Sequence, residues 1–277
     1  MLLFIYKKGW CVKMTTMERL HEHYNEALEH FAEDRIVGCF LQGSQNYGLE
    51  VPNSDVDTKL IVVPTFKDVA MNAQPVSTTH HRANDEHIDF KDIRLYMQTF
   101  RKQNLNFLEI LFTPYAIINP LYAAEWNRLV QERETIARMN PYRAVQSMKG
   151  IALEKYHAME HKYPSKVAII EKYGYDNKQL HHLRRVDDYL ERYINGESYE
   201  KCLDPGPLRE SLRWEKQNFR PLEEARGIAE RTKAHVEFMA KEFFDANPEA
   251  ENERARALLE DVQYNIMRIA TMEELSK

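Results

Sequence analysis

The sequence predicts an α+β fold, with strands confined to the N-terminal part and an all-helical C-terminal part, and three observations carry that expectation. Two apolar runs, Ile36-Val37-Gly38-Cys39-Phe40-Leu41 and Leu60-Ile61-Val62-Val63, flank a short turn-rich segment and read as strands. Residues 86–93 set Ile88 and Phe90 in alternation with His87, Asp89 and Lys91, the period of a strand with one polar face. From residue 119 onward only helical patterning remains, punctuated by Pro120, Pro141, Pro164, Pro205, Pro207, Pro221 and Pro248.

Residues 15–34 space Met17, Leu20, Tyr24, Ala27, Leu28 and Phe31 by threes and fours, which predicts an amphipathic helix leading into the first strand. Met14 and Met17 are plausible alternative starts, so residues 1–13 are expected to be poorly ordered or an extension. After the second apolar run, Pro64-Thr65-Phe66-Lys67-Asp68-Val69 reads as a helix start, and residues 72–85 read as a polar surface loop. A helix is expected over 93–100, followed by the segment Asn104-Leu105-Asn106-Phe107-Leu108-Glu109. Glu109 stands among Leu108, Ile110 and Leu111, a setting that suits a functional acid and a buried structural acceptor equally, so it is left out of the catalytic set. Further helices are predicted over 119–139, 141–163, 176–195, 221–246 and 249–275, the last two with solvated faces laced by ion pairs.

A chain of 277 residues can bury a sizeable core in one large domain or two small ones, and two are expected, 15–118 and 119–277. The apolar share of 43% and charged share of 29% are those of a globular protein, and no apolar run approaches a membrane-spanning length. Lys7 and Lys8 interrupt the apolar opening, so a cytoplasmic location without a membrane partner is expected. Cys11, Cys39 and Cys202 are odd in number and far apart, which argues for reduced thiols and against a thiolate metal cluster. A net charge of −5 argues against a uniformly basic nucleic-acid coat, and the eleven histidines fall in no zinc-binding spacing.

Chemistry concentrates between the first two strands, in Gly43-Ser44-Gln45-Asn46-Tyr47-Gly48-Leu49-Glu50-Val51-Pro52-Asn53-Ser54-Asp55-Val56-Asp57. If Asp55 begins the second strand, alternation puts Asp55 and Asp57 on one face, where two carboxylates repel unless a cation joins them. Hard oxygen donors of that kind suit Mg²⁺ or Mn²⁺. Gly43 and Ser44 offer a Cβ-free backbone and a hydroxyl, which suit an anionic oxygen at close range. The alternative is a polar turn with two solvated aspartates. Lys178, His182 and Arg185 recur at i, i+4, i+7 beside an apolar stripe of Leu183, Val186, Leu190 and Ile194. One helix face therefore presents cations to a polyanion, with Arg185 suited to bidentate binding and Lys178 a point charge.

Gly43-Ser44, ten residues, then Asp55-x-Asp57 resembles the signature of the DNA polymerase β nucleotidyltransferase superfamily, and the longer stretch is similar to its predicted branch associated with bacterial RNA-repair enzymes. The Asn-x-Asn-x-x-Glu segment at 104–109 and the Lys-x-x-x-His-x-x-Arg pattern after Tyr175-Asp176 resemble that branch as well. The resemblance implies a small mixed sheet as the catalytic core, flanked by helices. It further implies a Gly-Ser loop holding a nucleoside triphosphate, and two metal ions bound by Asp55, Asp57 and a third carboxylate on a later strand. Asp89 best matches the third place, with Glu86 and Asp92 as competitors and an edge-strand pair with Lys91 as the structural alternative. Lys59 stands where relatives carry arginine, and Leu60 where a glycine is usual. The implied reaction is nucleotidyl transfer to the end of an RNA or DNA strand. A protein acceptor, a second-messenger product and a catalytically silent nucleotide-binding regulator are the alternatives.

Overall fold

The computed structural model describes residues 14–52 and 54–277; the opening segment with Cys11, and Asn53, lie outside the described residues. A five-stranded mixed sheet forms the N-terminal part, with strands β1 (Ile36–Gln42), β2 (Asp57–Val62), β3 (Ser77–His81), β4 (His87–Asp92) and β5 (Ala116–Ile118). Their order is β3-β4-β2-β1-β5, parallel only between β2 and β4. The α+β class is as expected, and after β5 every described element is helical.

The first helix spans Thr16–Leu28, opened by a capping box in which Thr15 and Glu18 satisfy each other's backbone N–H groups. It ends earlier than the apolar spacing suggests, because Phe31 leaves the helix and packs its ring 5.4 Å from that of Phe90. Leu20 and Ala27 of this helix cover one sheet face together with Cys39, Leu60, Val62, Ile88 and Phe90. The other face turns Phe40 and Ile61 toward the helices that follow, and one core continues through Trp126, Val145, Leu183, Val262 and Ile266. By alternation Asp57 and Lys59 lie on this second face with Ile61, as do Asp89 and Lys91 opposite them.

Two strands went unpredicted. β3, Ser-Thr-Thr-His-His, is an exposed edge strand with no buried apolar face, so period-2 patterning is absent from it, and it occupies part of the expected 72–85 loop. β5 has three residues, too short to register. Among the helices, Pro141–Ala158, Asn177–Ile194, Leu222–Ala246 and Glu253–Leu275 fall where expected, whereas Val167–Tyr173, Tyr199–Leu203 and Arg209–Gln217 were unforeseen. Cys39 and Cys202 are free, buried thiols, each pushed up to about 12 by burial.

A buried polar hub ties the first helix to the sheet. Glu86, wholly buried, pairs with Arg19, with Arg82 at 2.7 Å and with His23 Nε2 at 3.0 Å, and accepts from the backbone N–H of Val56 at 3.3 Å. The neutral ring of His23 thereby donates from Nε2 and receives the Thr58 hydroxyl on Nδ1 at 2.9 Å. Glu86 is committed to structure, as is Asp92, which caps the 93–101 helix and grips Arg94.

Burial, aided by Arg82 and Arg19, pushes His23 down to about 4. Its folded pKa lies below the unfolded value near 6.5, so the unfolded chain takes up this proton first. The stabilisation is complete above about pH 6.5 and is lost as pH falls toward 4, on the order of 3 kcal/mol in all. Urea unfolding of wild type and His23→Gln at pH 7 and pH 4 checks this: the wild type should lose more stability across the interval than the variant.

Candidate active site

The segment between β1 and β2 leaves the hydrogen-bonded ladder and forms a single turn of 3₁₀ helix at Ser44–Tyr47 between two glycines. Gly43 sits at φ +105° and Gly48 at φ +68°, backbone that side chains with a Cβ rarely adopt. Gly43 N–H donates to Glu109 Oε1 at 2.6 Å, and the Asn46 amide reaches back to Leu41 O at 3.0 Å. Gln45 Nε2 donates to Asp55 O at 2.7 Å and Arg19 to Ser54 O at 3.3 Å, so side chains, rather than a neighbouring strand, fix the approach to the aspartates.

β2 starts at Asp57, and Asp55 belongs to the preceding loop. Strand alternation therefore does not pair the two carboxylates, as the sequence had led us to expect. They nonetheless line one cavity of about 740 Å³ together with Gly43 and Ser44. Asp57 Oδ1 accepts from His87 twice, from the backbone N–H at 3.0 Å and from Nδ1 at 2.9 Å.

Lys178, His182 and Arg185 line the same cavity, as their helical spacing demands. Their face is less open than expected. Arg185 is only 6% exposed, its guanidinium lies 3.5 Å above the Tyr47 ring, and its Nη2 has no hydrogen-bond partner among the described residues. His182 is held neutral, well below its ordinary pKa, by burial and by the adjacent His181, Arg185, Lys178 and Lys155. Lys178 remains half-exposed, with Nζ 3.7 Å from Asp55 Oδ2.

Asp89 and Lys59 share the sheet face of Asp57 but do not line the cavity. Lys59 Nζ binds Asp89 Oδ2 at 2.6 Å and lies over the Phe107 ring, and Thr79 donates to the other Asp89 oxygen at 3.3 Å. Among the described residues no group of three or more His, Cys, Asp or Glu side chains is gathered for a metal.

Three further cavity residues stand outside the expected site set: Glu109, which was weighed and left out, and Lys216 and His181. Glu109, 3% exposed, anchors the Gly43 turn, and burial raises its carboxyl to about 7 against the pull of Arg185 and the Gly43 N–H. Lys216 arrives from the unforeseen Arg209–Gln217 helix; its Nζ donates to Ser44 Oγ at 3.0 Å, Ser54 Oγ at 3.0 Å and Leu49 O at 3.3 Å. Burial, with Lys178 nearby, lowers Lys216 to about 8. His181 Nδ1–H donates to Leu212 O at 2.8 Å, and burial pushes this ring down to about 4. For Glu109 the signal was its acid character inside an apolar run; for Lys216 none exists locally, since contact across 172 positions joins it to Ser44.

Residues 13–186, well over half of the chain, match the family described as the RNA repair pathway DNA polymerase beta family, RlaP. The chain belongs to that family. The expected branch is thus the right one, and a nucleotidyltransferase of the polymerase β type acting in RNA repair is the family's activity. No curated protein matches the chain. The matched segment ends within the 177–194 helix and includes every candidate site residue read from the sequence, whereas Lys216 lies beyond it. Divalent metals are general in this superfamily, and the donor set fits one: Asp55 and Asp57 bring hard oxygens to the cavity wall beside Ser44.

Lys216 bonds three loop oxygens, and replacing it by Met removes all three contacts. Charge-assisted bonds of this kind contribute about 1.5–3 kcal/mol each when fully made, with losses in one cluster adding incompletely. Lys216→Met should lower thermal stability and accelerate amide exchange at Leu49 and Asn46, whose N–H groups bond Ser44 O and Gly43 O. Unchanged exchange at both amides would show the loop to be held without it.

Proposed function

We propose that the protein is a metal-dependent nucleotidyltransferase that moves a nucleoside monophosphate from a nucleoside triphosphate to a hydroxyl at the end of an RNA or DNA strand. One observation carries this reading: the Gly43-Ser44 turn, both aspartates of the Asp55-x-Asp57 pair and the cations Lys178 and Arg185 all border one cavity. Residues 15–118 act as the catalytic part and 119–277 as the helical part that supplies phosphate-binding side chains.

Gly43 and Ser44 receive phosphate oxygens at close range. Arg185, stacked on Tyr47 with a buried donor to spare, binds a phosphate oxygen without first being desolvated, and Lys178 adds a mobile charge at the rim. The uncharged rings of His181 and His182 limit repulsion among these cations, and His182 is available as a donor to a phosphate oxygen. Asp55, Asp57 and Asp89 would hold two Mg²⁺ or Mn²⁺ ions, which supply a lowered pKa for the attacking hydroxyl and neutralise charge on the departing pyrophosphate. Lys59 holds the Asp89 side chain toward β2. The strand end is the acceptor that accords with the family's place in RNA repair.

Incubating the protein with labelled triphosphates, Mg²⁺ or Mn²⁺, and RNA, DNA or no acceptor tests the reading. An extended oligonucleotide is expected. A labelled protein band or a small acceptor-free product would reassign the acceptor, and no label transfer under any condition would overturn the reaction. Asp55→Ala and Asp57→Ala should each abolish transfer with the fold intact, because removing one carboxylate relieves like-charge repulsion. Arg185→Ala should weaken binding of a non-hydrolysable triphosphate by about 1.5–3 kcal/mol, roughly ten- to a hundredfold. If affinity is unchanged, Arg185 is a core residue stacked on Tyr47 and nothing more.

A further inference from the structure

Glu109 occupies an unusual position for an anion. It borders the cavity that the nucleotide reading assigns to a triphosphate, yet among the described residues it has no ion-pair partner. Its only hydrogen bonds there run to one oxygen: Oε1 accepts from Gly43 N at 2.6 Å and from Asn46 Nδ2 at 3.4 Å. Asn46 is itself fixed, its Oδ1 accepting from Thr113 Oγ1 at 2.6 Å. Oε1 thus holds Gly43 in its left-handed conformation and sets the direction of Ser44. An ionised carboxylate in that place repels entering phosphates across a poorly screened cavity. A neutral carboxyl keeps the bond from Gly43, because its carbonyl oxygen still accepts.

We propose that Glu109 is the positioning residue of the Gly43-Ser44 turn and that it stands protonated in the nucleotide complex, so that phosphate binding takes up one proton from solvent at this carboxyl. The inference rests on the nucleotide reading above. Its charge balance is simple: the ionised carboxylate, one proton and the phosphate ligand form a complex with neutral Glu109, and no covalent bond changes.

The surroundings of Glu109 favour this. Arg185 from the 177–194 helix and Lys59 from β2 pull toward the ionised form, while burial opposes them more strongly and leaves the group raised to about 7. Tyr47, Tyr96 and Tyr199 also face it, and all three are held above their ordinary pKa by burial, so they stay neutral. A small additional negative potential is then enough to protonate Glu109 near neutral pH, and a polyphosphate brings several charges. His181 and His182 are depressed too far to titrate in this window. Lys216, lowered to about 8, is the one other cavity group with a resolved shift that titrates nearby, and any variant of Glu109 retains it.

The test compares wild type with Glu109→Gln, which keeps an acceptor for Gly43 but cannot titrate. Dissociation constants are measured for inorganic triphosphate and for a non-hydrolysable nucleoside triphosphate at pH 6 and pH 8. Ligand ionisation and Lys216 contribute equally to both proteins. Wild-type affinity should fall by up to about tenfold more than that of Glu109→Gln between the two pH values, as a single group with pKa near 7 requires. Equal pH dependence in the two proteins overturns the proposal. Should Glu109→Gln fail to fold, calorimetric titration of the wild type at pH 7.5, in two buffers of different ionisation heat, counts protons directly. Uptake above roughly half a proton per ligand supports Glu109, and less overturns it. Proton-linked binding of inorganic triphosphate without nucleotide binding would uphold proton uptake at Glu109 on phosphate binding while the nucleotide reading falls, and no binding of either ligand at any pH would end both.

Discussion

The constraint on which this site depends is backbone hydrogen bonding in a segment that has left its sheet. Between Gln42 and Asp57 the chain borders the cavity with irregular backbone, whose N–H and C=O groups need partners as surely as those in a ladder. Side chains from four separate places supply them: Glu109 for Gly43 N–H, Glu86 for Val56 N–H, Arg19 for Ser54 O and Lys216 for Leu49 O. Two buried carboxylates therefore bracket the loop, one at each end. Each is costly to bury, and each is retained because it receives backbone donors that a hydrophobic residue would leave unpaired.

The same constraint organises the charges. On the sheet side, Glu86 is surrounded by Arg19 and Arg82 and is fully neutralised. On the cavity side the cations Arg185, Lys178 and Lys216 are not matched by carboxylates at bonding distance among the described residues, save for Lys178 near Asp55. The buried Nη2 of Arg185, without a hydrogen-bond partner among the described residues, is the kind of defect that a core does not keep for stability's sake. Histidines temper the excess by staying neutral, which is why His181 and His182 sit beside these cations without adding to their repulsion.

How much of this was legible in the sequence follows from the range of each interaction. Alternation and helical spacing act within a few residues, and they revealed β1, β2, β4, the 177–194 helix and its cavity residues Lys178, His182 and Arg185, while Gly43, Ser44 and Asp57 were read from residue type and motif spacing between the first two strands. Asp55 was found by its spacing, but the condition that it begins the second strand is not met, because nothing local tells that Gln45 and Arg19 capture the carbonyls ahead of β2. β3 was invisible, since an exposed edge strand of Ser, Thr and His has no buried face to impose a period. Arg185 was expected on an open face; only tertiary packing could bring Tyr47 beneath it. The role of Glu109 was undecidable between function and structure for a physical reason, as it serves the turn structurally and borders the cavity at once.

The family match stops at residue 186, yet the site as built does not. Leu212 caps a small apolar cluster with Tyr47 and Leu49, beneath the loop, and its carbonyl fixes the tautomer of His181. Four residues later, just over one helical turn, Lys216 reaches the loop from the same helix and bonds both Ser44 and Ser54. One short helix beyond the matched segment thus sets the position of Tyr47, the platform for Arg185, and the hydroxyl of Ser44 on the cavity wall. Most of the cavity lining comes from the matched segment, and its alignment depends on packing that the 209–217 helix provides. A change at Leu212, which touches no ligand in this reading, would accordingly reach the cavity through Tyr47 and His181 rather than through the charged residues themselves.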